Sequence, residues 1–296
     1  MELKQIMMVG AGAMGSGITQ VAAEAGYQVL LWTRPTSVAG PKAIATATKN
    51  LNRKVEKGKL TAEERDAVLA RITHTVNLED AKNADLIIEA VAEDIEIKKD
   101  IFSKLDKICK PECIFATNTS SIPISQVAAI VDRADKFIGM HFFNPVPVMK
   151  LVELIRGIKT SDETIEVAES FVAKIGKTSV RVKDVPGFLV NRINNALRQE
   201  AYRCMEEGVA SIEDIDKAMK MGLNHPMGPF EVADFAGLDI GYSLINQLYE
   251  GYKDSKWAPN LTLQKLVLAG DLGRKTGKGW YDYTSGEKKV RTDIKF

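Results

Sequence analysis

Gln5-Ile6-Met7-Met8-Val9-Gly10-Ala11-Gly12-Ala13-Met14-Gly15 is the stretch that decides the fold. A short apolar run enters G-x-G-x-x-G, and a helical pattern then runs from Met14 to Ala25, where Gly26 stops it. Strand, glycine turn and helix in that order predict the first β-α unit of a doubly wound sheet. Gly10 allows the tight turn, Gly12 lets the backbone approach a ligand closely, and Gly15 lets helix and strand pack. Backbone N–H groups of this loop, which includes Ala13 and Met14, and the helix dipole would then meet the pyrophosphate of a dinucleotide.

Outward from that unit, Gln28–Trp32 reads as a second buried strand. Residues 41–71 are helical in pattern and heavily basic, with a pause near Gly58 and an N-cap at Thr61 in Thr-Ala-Glu-Glu. Strands are expected again at 85–91, 113–117, 137–141, 152–155 and 179–182. Most are separated by helix-length segments, which implies crossovers and a mainly parallel sheet. After Asp184-Val185-Pro186-Gly187 the texture changes: Phe188, Leu189, Ile193, Leu197, Ala201, Cys204 and Met205 recur at helical spacing. Further helices are expected at 212–219, 229–249 and 261–269, with strand-like alternation only in the last few residues. The expected fold class is α/β: a Rossmann-type, mainly parallel sheet domain over 1–185, then an all-helical domain over 186–296. A chain of 296 residues, 45% of them hydrophobic, is long enough for two cores.

Composition excludes several classes. Forty basic against 39 acidic residues give a net charge of +1, so nothing draws the whole chain to nucleic acid or an anionic membrane. No apolar stretch approaches the roughly 18 residues needed to span a bilayer. Met1-Glu2-Leu3-Lys4 runs straight into an expected strand, so no signal peptide is expected. The three cysteines are an odd number without metal-ligand spacing. That fits a reducing cytoplasm, and no metal site is expected.

Of the three histidines, His141 stands at the end of an expected strand, within Met140-His141-Phe142-Phe143-Asn144-Pro145. Ligands of parallel sheets bind at that carboxyl edge. A dehydrogenase needs a base for the hydroxyl proton when hydride leaves the same carbon, and neutral imidazole suits that task. Glu153 is a lone acid in the apolar run Leu151 to Ile155, and a buried acid needs a partner. Two pairings are open: with His141 on a neighbouring strand, or with Lys150 or Arg156. Asn118-Thr119-Ser120-Ser121 also follows a strand, so Ser120 could bond a substrate oxygen or the segment could simply cap a helix. Asn191, in the first helix after Pro186-Gly187, could meet a substrate or bond across the domain junction.

The second strand ends Leu31-Trp32-Thr33-Arg34-Pro35-Thr36-Ser37. NAD sites normally place an acid there for the adenosine 2′-hydroxyl. Thr33 is neutral, and Arg34 brings a guanidinium suited to phosphate. NADP(H) is therefore favoured over NAD(H); the other reading is a polar turn that accepts NAD without the acid.

Gly-Ala-Gly-Ala-Met-Gly-Ser-Gly-Ile, Asn-Thr-Ser-Ser, His-Phe-Phe-Asn-Pro-Val-Pro-Val-Met-Lys-Leu-Val-Glu, Pro-Gly-Phe-Leu-Val-Asn-Arg and Pro-Met-Gly-Pro-Phe occur in that order. Together with the late Gly-Arg-Lys-Thr-Gly-Lys-Gly-Trp-Tyr, they resemble the L-3-hydroxyacyl-CoA dehydrogenases over nearly the whole chain. The bacterial 3-hydroxybutyryl-CoA dehydrogenases are the branch they look most like. The resemblance implies an acyl-CoA substrate, with His141 as catalytic base, Glu153 as its carboxylate partner, and Ser120 and Asn191 positioning the reacting oxygen. It implies that Glu93 and Lys98 line the cofactor site, with Asn144 near the nicotinamide; Asn118, following its strand at the carboxyl edge, is also expected at the cofactor. It also implies that Arg53, Lys54 and Lys57 contact CoA and that the helical domain forms a homodimer. The chain departs from the family pattern at Thr33, where the family usually has aspartate.

Overall fold

The computed structural model describes residues 2–294. The chain divides into two compact units, Met1–Val185 and Pro186–Phe296.

In the first unit the order is β1 (Gln5–Val9), α1 (Ala13–Glu24), β2 (Gln28–Trp32), α2 (Ala39–Glu56), α3 (Ala62–Leu69), β3 (Ile72–Thr75), β4 (Leu86–Glu89), α4 (Ile95–Ile108), β5 (Ile114–Thr117), α5 (Ile124–Ala128), β6 (Phe137–Phe142), β7 (Leu151–Arg156), α6 (Asp162–Lys174) and β8 (Thr178–Lys183). The eight strands form one sheet, β3-β2-β1-β4-β5-β6-β7-β8, in which β6 and β7 alone pair antiparallel. Helices on both faces keep β1, β4 and β5 out of water, so these strands read as apolar runs with a polar residue only at one end. Helix starts follow the expected chemistry. At α3, Thr61 accepts from the Glu64 amide while the Glu64 side chain returns to the Thr61 amide. Asp94 caps α4 and Ser161 caps α6.

β3 is not expected from the sequence pattern, which shows no strand signal between a helical segment and the next strand. Only Ile72 of its four residues is buried, so an edge strand of Thr-His-Thr character offers no apolar run to detect.

The second unit contains α7 (Val190–Glu206), α8 (Ile212–Gly222), α9 (Pro229–Ala236), α10 (Leu238–Tyr252), α11 (Leu261–Leu268) and a small antiparallel pair, β9 (Tyr281–Asp282) and β10 (Lys289–Val290). The single helix expected over 229–249 is two. Gly237 breaks it at φ 102°, a conformation open to glycine. Two buried acids organise this unit. Asp216 accepts from the amides of Phe230 (2.9 Å) and Glu231 (3.1 Å) and from the Tyr281 hydroxyl (2.7 Å). Asp234 accepts from the amides of Trp280 (2.8 Å) and Tyr281 (2.9 Å) and from the Tyr283 hydroxyl (3.1 Å). The late Gly-Lys-Gly-Trp-Tyr segment is thereby tied to α9. A Cβ at Gly279 would lie 2.1 Å from Asp234 Oδ1, so the approach needs glycine.

Candidate active site

The glycine turn has the geometry of a phosphate cradle. Gly10 adopts φ 105°, and a Cβ there would meet the Ala90 carbonyl at 2.6 Å. A Cβ at Gly15 would fall 2.0 Å from the Gly10 carbonyl oxygen, so helix and turn touch backbone to backbone. Gly12 differs: nothing lies within 4 Å of its Cβ position. Gly12 and Ala13 are exposed and Met14 is half-buried. The loop thus presents bare backbone at the start of a helix, which fits the pyrophosphate of a dinucleotide.

A cavity of about 440 Å³ opens beside this loop. Gly12 and Ser16 line one side, Lys42, Thr46 and Asn50 of α2 a second, and Asn144 with the following Pro-Val-Pro a third. Lys177 fixes that third wall by donating to the carbonyls of Val146 (2.6 Å) and Met149 (2.5 Å). Burial pulls the Lys177 ammonium below its usual range. At the end of α2, Arg53 and, just past the helix, Lys57 are exposed, whereas Lys54 is engaged in an ion pair with Glu24.

A second cavity, of about 510 Å³, lies where β2 ends against α4. Trp32, Ile97 and Ile101 give it apolar surface, and Arg34, Glu96 and Asp100 give it charge. The two acids pair with Lys99 and Lys104, each at 2.7 Å. The Arg34 guanidinium has no hydrogen bond or ion pair among the described residues. Thr33 is buried at 3% exposure, and its Oγ1 lies 2.8 Å from His74 Nε2.

His141 and Glu153 are brought together. The antiparallel register places them opposite each other, and Nδ1 lies 2.7 Å from Glu153 Oε2, with both side chains buried. A carboxylate can only accept, so the bond assigns the proton to Nδ1 and the lone pair to Nε2. Arg156 bonds Asp162 instead (2.6 Å), so of the pairings open in the sequence the His141 one is formed.

Asn118 accepts from the Phe142 amide through Oδ1 (2.9 Å), joining the ends of β5 and β6. Ser120 is half-buried, and its hydroxyl makes no hydrogen bond among the described residues. Its loop is held by Glu93, which accepts from the amides of Ser120 (3.0 Å) and Ser121 (3.2 Å) and from the hydroxyls of Ser121 (2.8 Å) and Thr119. Burial would raise the Glu93 carboxyl, but Lys98 and these bonds hold it below the usual range. Lys98 in turn is buried against Glu89, a residue for which the sequence motifs suggest no role. The available signal was an acid closing the apolar run Leu-Ile-Ile-Glu. Asn191 is the second residue of α7, and its carbonyl accepts from Asn195 Nδ2 (2.8 Å). Among the described residues no group of side chains could hold a metal ion, and no helix is long and apolar enough to cross a membrane.

Comparison with known proteins gives a consistent result. Residues 5–185 match the family described as 3-hydroxyacyl-CoA dehydrogenase, NAD binding domain. Residues 187–283 match its C-terminal domain. A Bacillus subtilis protein named "Probable 3-hydroxybutyryl-CoA dehydrogenase" is 50% identical over 283 residues, 96% of this chain and 98% of that protein. A 3-hydroxybutyryl-CoA dehydrogenase of Bradyrhizobium diazoefficiens is 48% identical over 98% of each chain. The crystal structure of (S)-3-hydroxybutyryl-CoA dehydrogenase from Ralstonia eutropha superposes with a TM-score of 0.93 at 44% identity, covering 96% of this chain and all of that one.

Proposed function

The chain belongs to the 3-hydroxyacyl-CoA dehydrogenase family, and on that premise we propose that it interconverts 3-hydroxybutyryl-CoA and acetoacetyl-CoA. The single observation that carries the reading is the buried 2.7 Å bond between His141 and Glu153 at the carboxyl edge of the sheet. When bound, a nicotinamide cofactor supplies hydride exchange at carbon 3; the chain manages the proton. In oxidation, Nε2 of His141 takes the proton of the 3-hydroxyl, and Glu153 stabilises the imidazolium through Nδ1–H. In reduction the same imidazolium returns the proton to the carbonyl oxygen. The Ser120 hydroxyl donates to that oxygen, and Glu93 keeps the Ser120 loop in place. Asn191 enters this reading through its Pro-Gly-Phe-Leu-Val-Asn-Arg motif, as a second group for the substrate.

The glycine loop, with Gly10, Gly12, Ala13, Met14 and Gly15, would hold the pyrophosphate, and Asn118 and Asn144 border the nicotinamide end. Glu93 and Lys98 act here as supports of the site. We favour NADP(H) over NAD(H), because Thr33 presents no charge to repel a 2′-phosphate and Arg34 has a guanidinium to offer it. The cavity along α2 suits the pantetheine arm of CoA, with Arg53 and Lys57 beyond it for the phosphates. Lys54, already paired with Glu24, contributes less. A cytoplasmic homodimer joined through the helical unit completes the proposal.

The test is spectrophotometric. Acetoacetyl-CoA should oxidise NADPH with a higher kcat/KM than NADH, and free acetoacetate should be a far poorer substrate. Equal turnover of thioester and free acid would remove CoA from the reading.

A further inference from the structure

Thr33 follows β2 directly, and its amide bonds the Thr75 carbonyl at 3.1 Å. In the register of β2 and β3, Leu31 faces His74 and Trp32 faces Thr75. Side chains alternate along a strand, so Leu31, Thr33 and His74 share one face of the sheet and Thr33 is the diagonal neighbour of His74. The first turn of α2 closes over that face. A Cβ at Gly40 would lie 2.2 Å from His74 Nε2, so the backbone rests on the imidazole. The Thr33 hydroxyl and the Gly40 backbone therefore both meet the ring at its Nε2 end.

We propose that His74 is a specificity-determining positioning residue, forming with Thr33 a two-residue unit that decides whether the adenosine end of the cofactor carries a 2′-phosphate. The proposal rests on the cofactor preference argued above and adds a residue to it. Its first basis is the direction of the Thr33 side chain, whose hydroxyl is turned to β3. The imidazole can donate from Nε2 to Oγ1, which leaves the hydroxyl proton to be offered onward. A nearby phosphate favours that arrangement, because donor chains polarise towards negative charge. A ribose hydroxyl, able to donate as well as accept, gains less from it.

The second basis is what an acid at position 33 would meet. A carboxylate there would find the His74 ring nitrogen within hydrogen-bond reach, accept a hydrogen bond from it and be drawn towards β3. Position 33 alone therefore cannot restore ribose recognition while His74 is present. The two positions must act non-additively.

The experiment uses the full chain without substrate: calorimetric Kd values for 2′,5′-ADP and 5′-AMP, which differ only in the 2′-phosphate. Wild type, Thr33→Asp, His74→Leu and the double variant are compared, with kcat/KM for NADPH and NADH beside them. His74→Leu should weaken 2′,5′-ADP about five- to tenfold with little change for 5′-AMP. Thr33→Asp should move the ratio of the two Kd values less than about tenfold, and the double variant about tenfold beyond the product of the single effects. His74→Asn, smaller and still polar, is measured alongside in case leucine disrupts the edge strand; it should show the same non-additivity. Additive effects, or equal weakening of both ligands by either His74 variant, would overturn the proposal and leave His74 as packing beneath α2. A wild type that prefers NADH and binds 5′-AMP as tightly as 2′,5′-ADP would instead overturn the NADP(H) reading. The coupling between positions 33 and 74 would still decide the role of the pair.

Discussion

Lys98 Nζ lies 2.7 and 2.8 Å from the two carboxylate oxygens of Glu89, and neither side chain exposes more than 1% of its surface. Glu89 also accepts from the Thr117 hydroxyl (2.6 Å) and the Val91 amide (2.7 Å), while Glu93 faces the same ammonium at 3.4 Å. One buried cation therefore holds the ends of β4 and β5 and the Ser120 loop. Lys98→Met leaves Glu89 buried without its counter-charge and should cost about 3–5 kcal/mol in denaturant unfolding. Adding Glu89→Gln to Lys98→Met should recover much of that stability. An unfolding midpoint unchanged in Lys98→Met would show the pair to be idle.

The dyad makes a different demand. His141→Gln should lower kcat by about two to four orders of magnitude. Affinity for 2′,5′-ADP should persist, because the glycine loop stands on β1 and α1. Glu153→Gln keeps the shape but removes the counter-charge of the imidazolium, and should also be severely impaired. Near-normal kcat in either folded variant would sink the dyad.

For CoA, Arg53→Ala combined with Lys57→Ala should raise KM for acetoacetyl-CoA, each missing charge-assisted bond to phosphate weakening binding by ~1.5–3 kcal/mol. A short thioester without the nucleotide should keep its KM. If both substrates suffer alike, this end of α2 supports the fold and reads no ligand.

Stability against pH should carry two opposite slopes from the helical unit. Burial would raise Glu231, but hydrogen bonds from Lys220, Lys288 and the Gly228 amide bring it down to about 2 from an ordinary 4.5. Its contribution is complete above about pH 4.5 and disappears as pH falls towards 2. Asp234 is pushed up by burial to about 6 from 3.8, against the bonds from Trp280, Tyr281 and Tyr283. That group favours the fold below 3.8 and loses its contribution as pH rises through about 6. Tm should therefore slope downward between about pH 4 and 6, and Asp234→Asn, though less stable, should flatten that interval. An unchanged slope in Asp234→Asn would assign it to other groups.

The sequence made the architecture readable wherever burial imposes a period. β1, β4 and β5 are apolar except at one end because both faces are covered, and Thr61 with Glu64 marks the start of α3 by its own hydrogen bonds. His141 and Glu153 could be nominated, since each is a polar residue in an apolar strand; their pairing depended on a strand reversal that no local pattern reveals. β3 escaped because an edge strand needs little apolar surface, and His74 escaped with it. The break at Gly237 escaped because apolar periodicity runs through both flanking helices and only the positive φ separates them. Glu93 and Lys98, expected to line the cofactor site, have their charges turned on each other and, for Lys98, on Glu89.

The antiparallel turn between β6 and β7 has an evolutionary corollary. His141 and Glu153, the proposed acid-base residues, are only 12 positions apart, on a contiguous hairpin, whereas the residues proposed to select the adenosine end lie at the end of β2 and on β3. On that proposal, drift in nucleotide preference can proceed by substitutions in the first third of the chain without touching proton transfer. A graft of residues 137–156 between relatives would move the acid-base apparatus as one inheritable cassette.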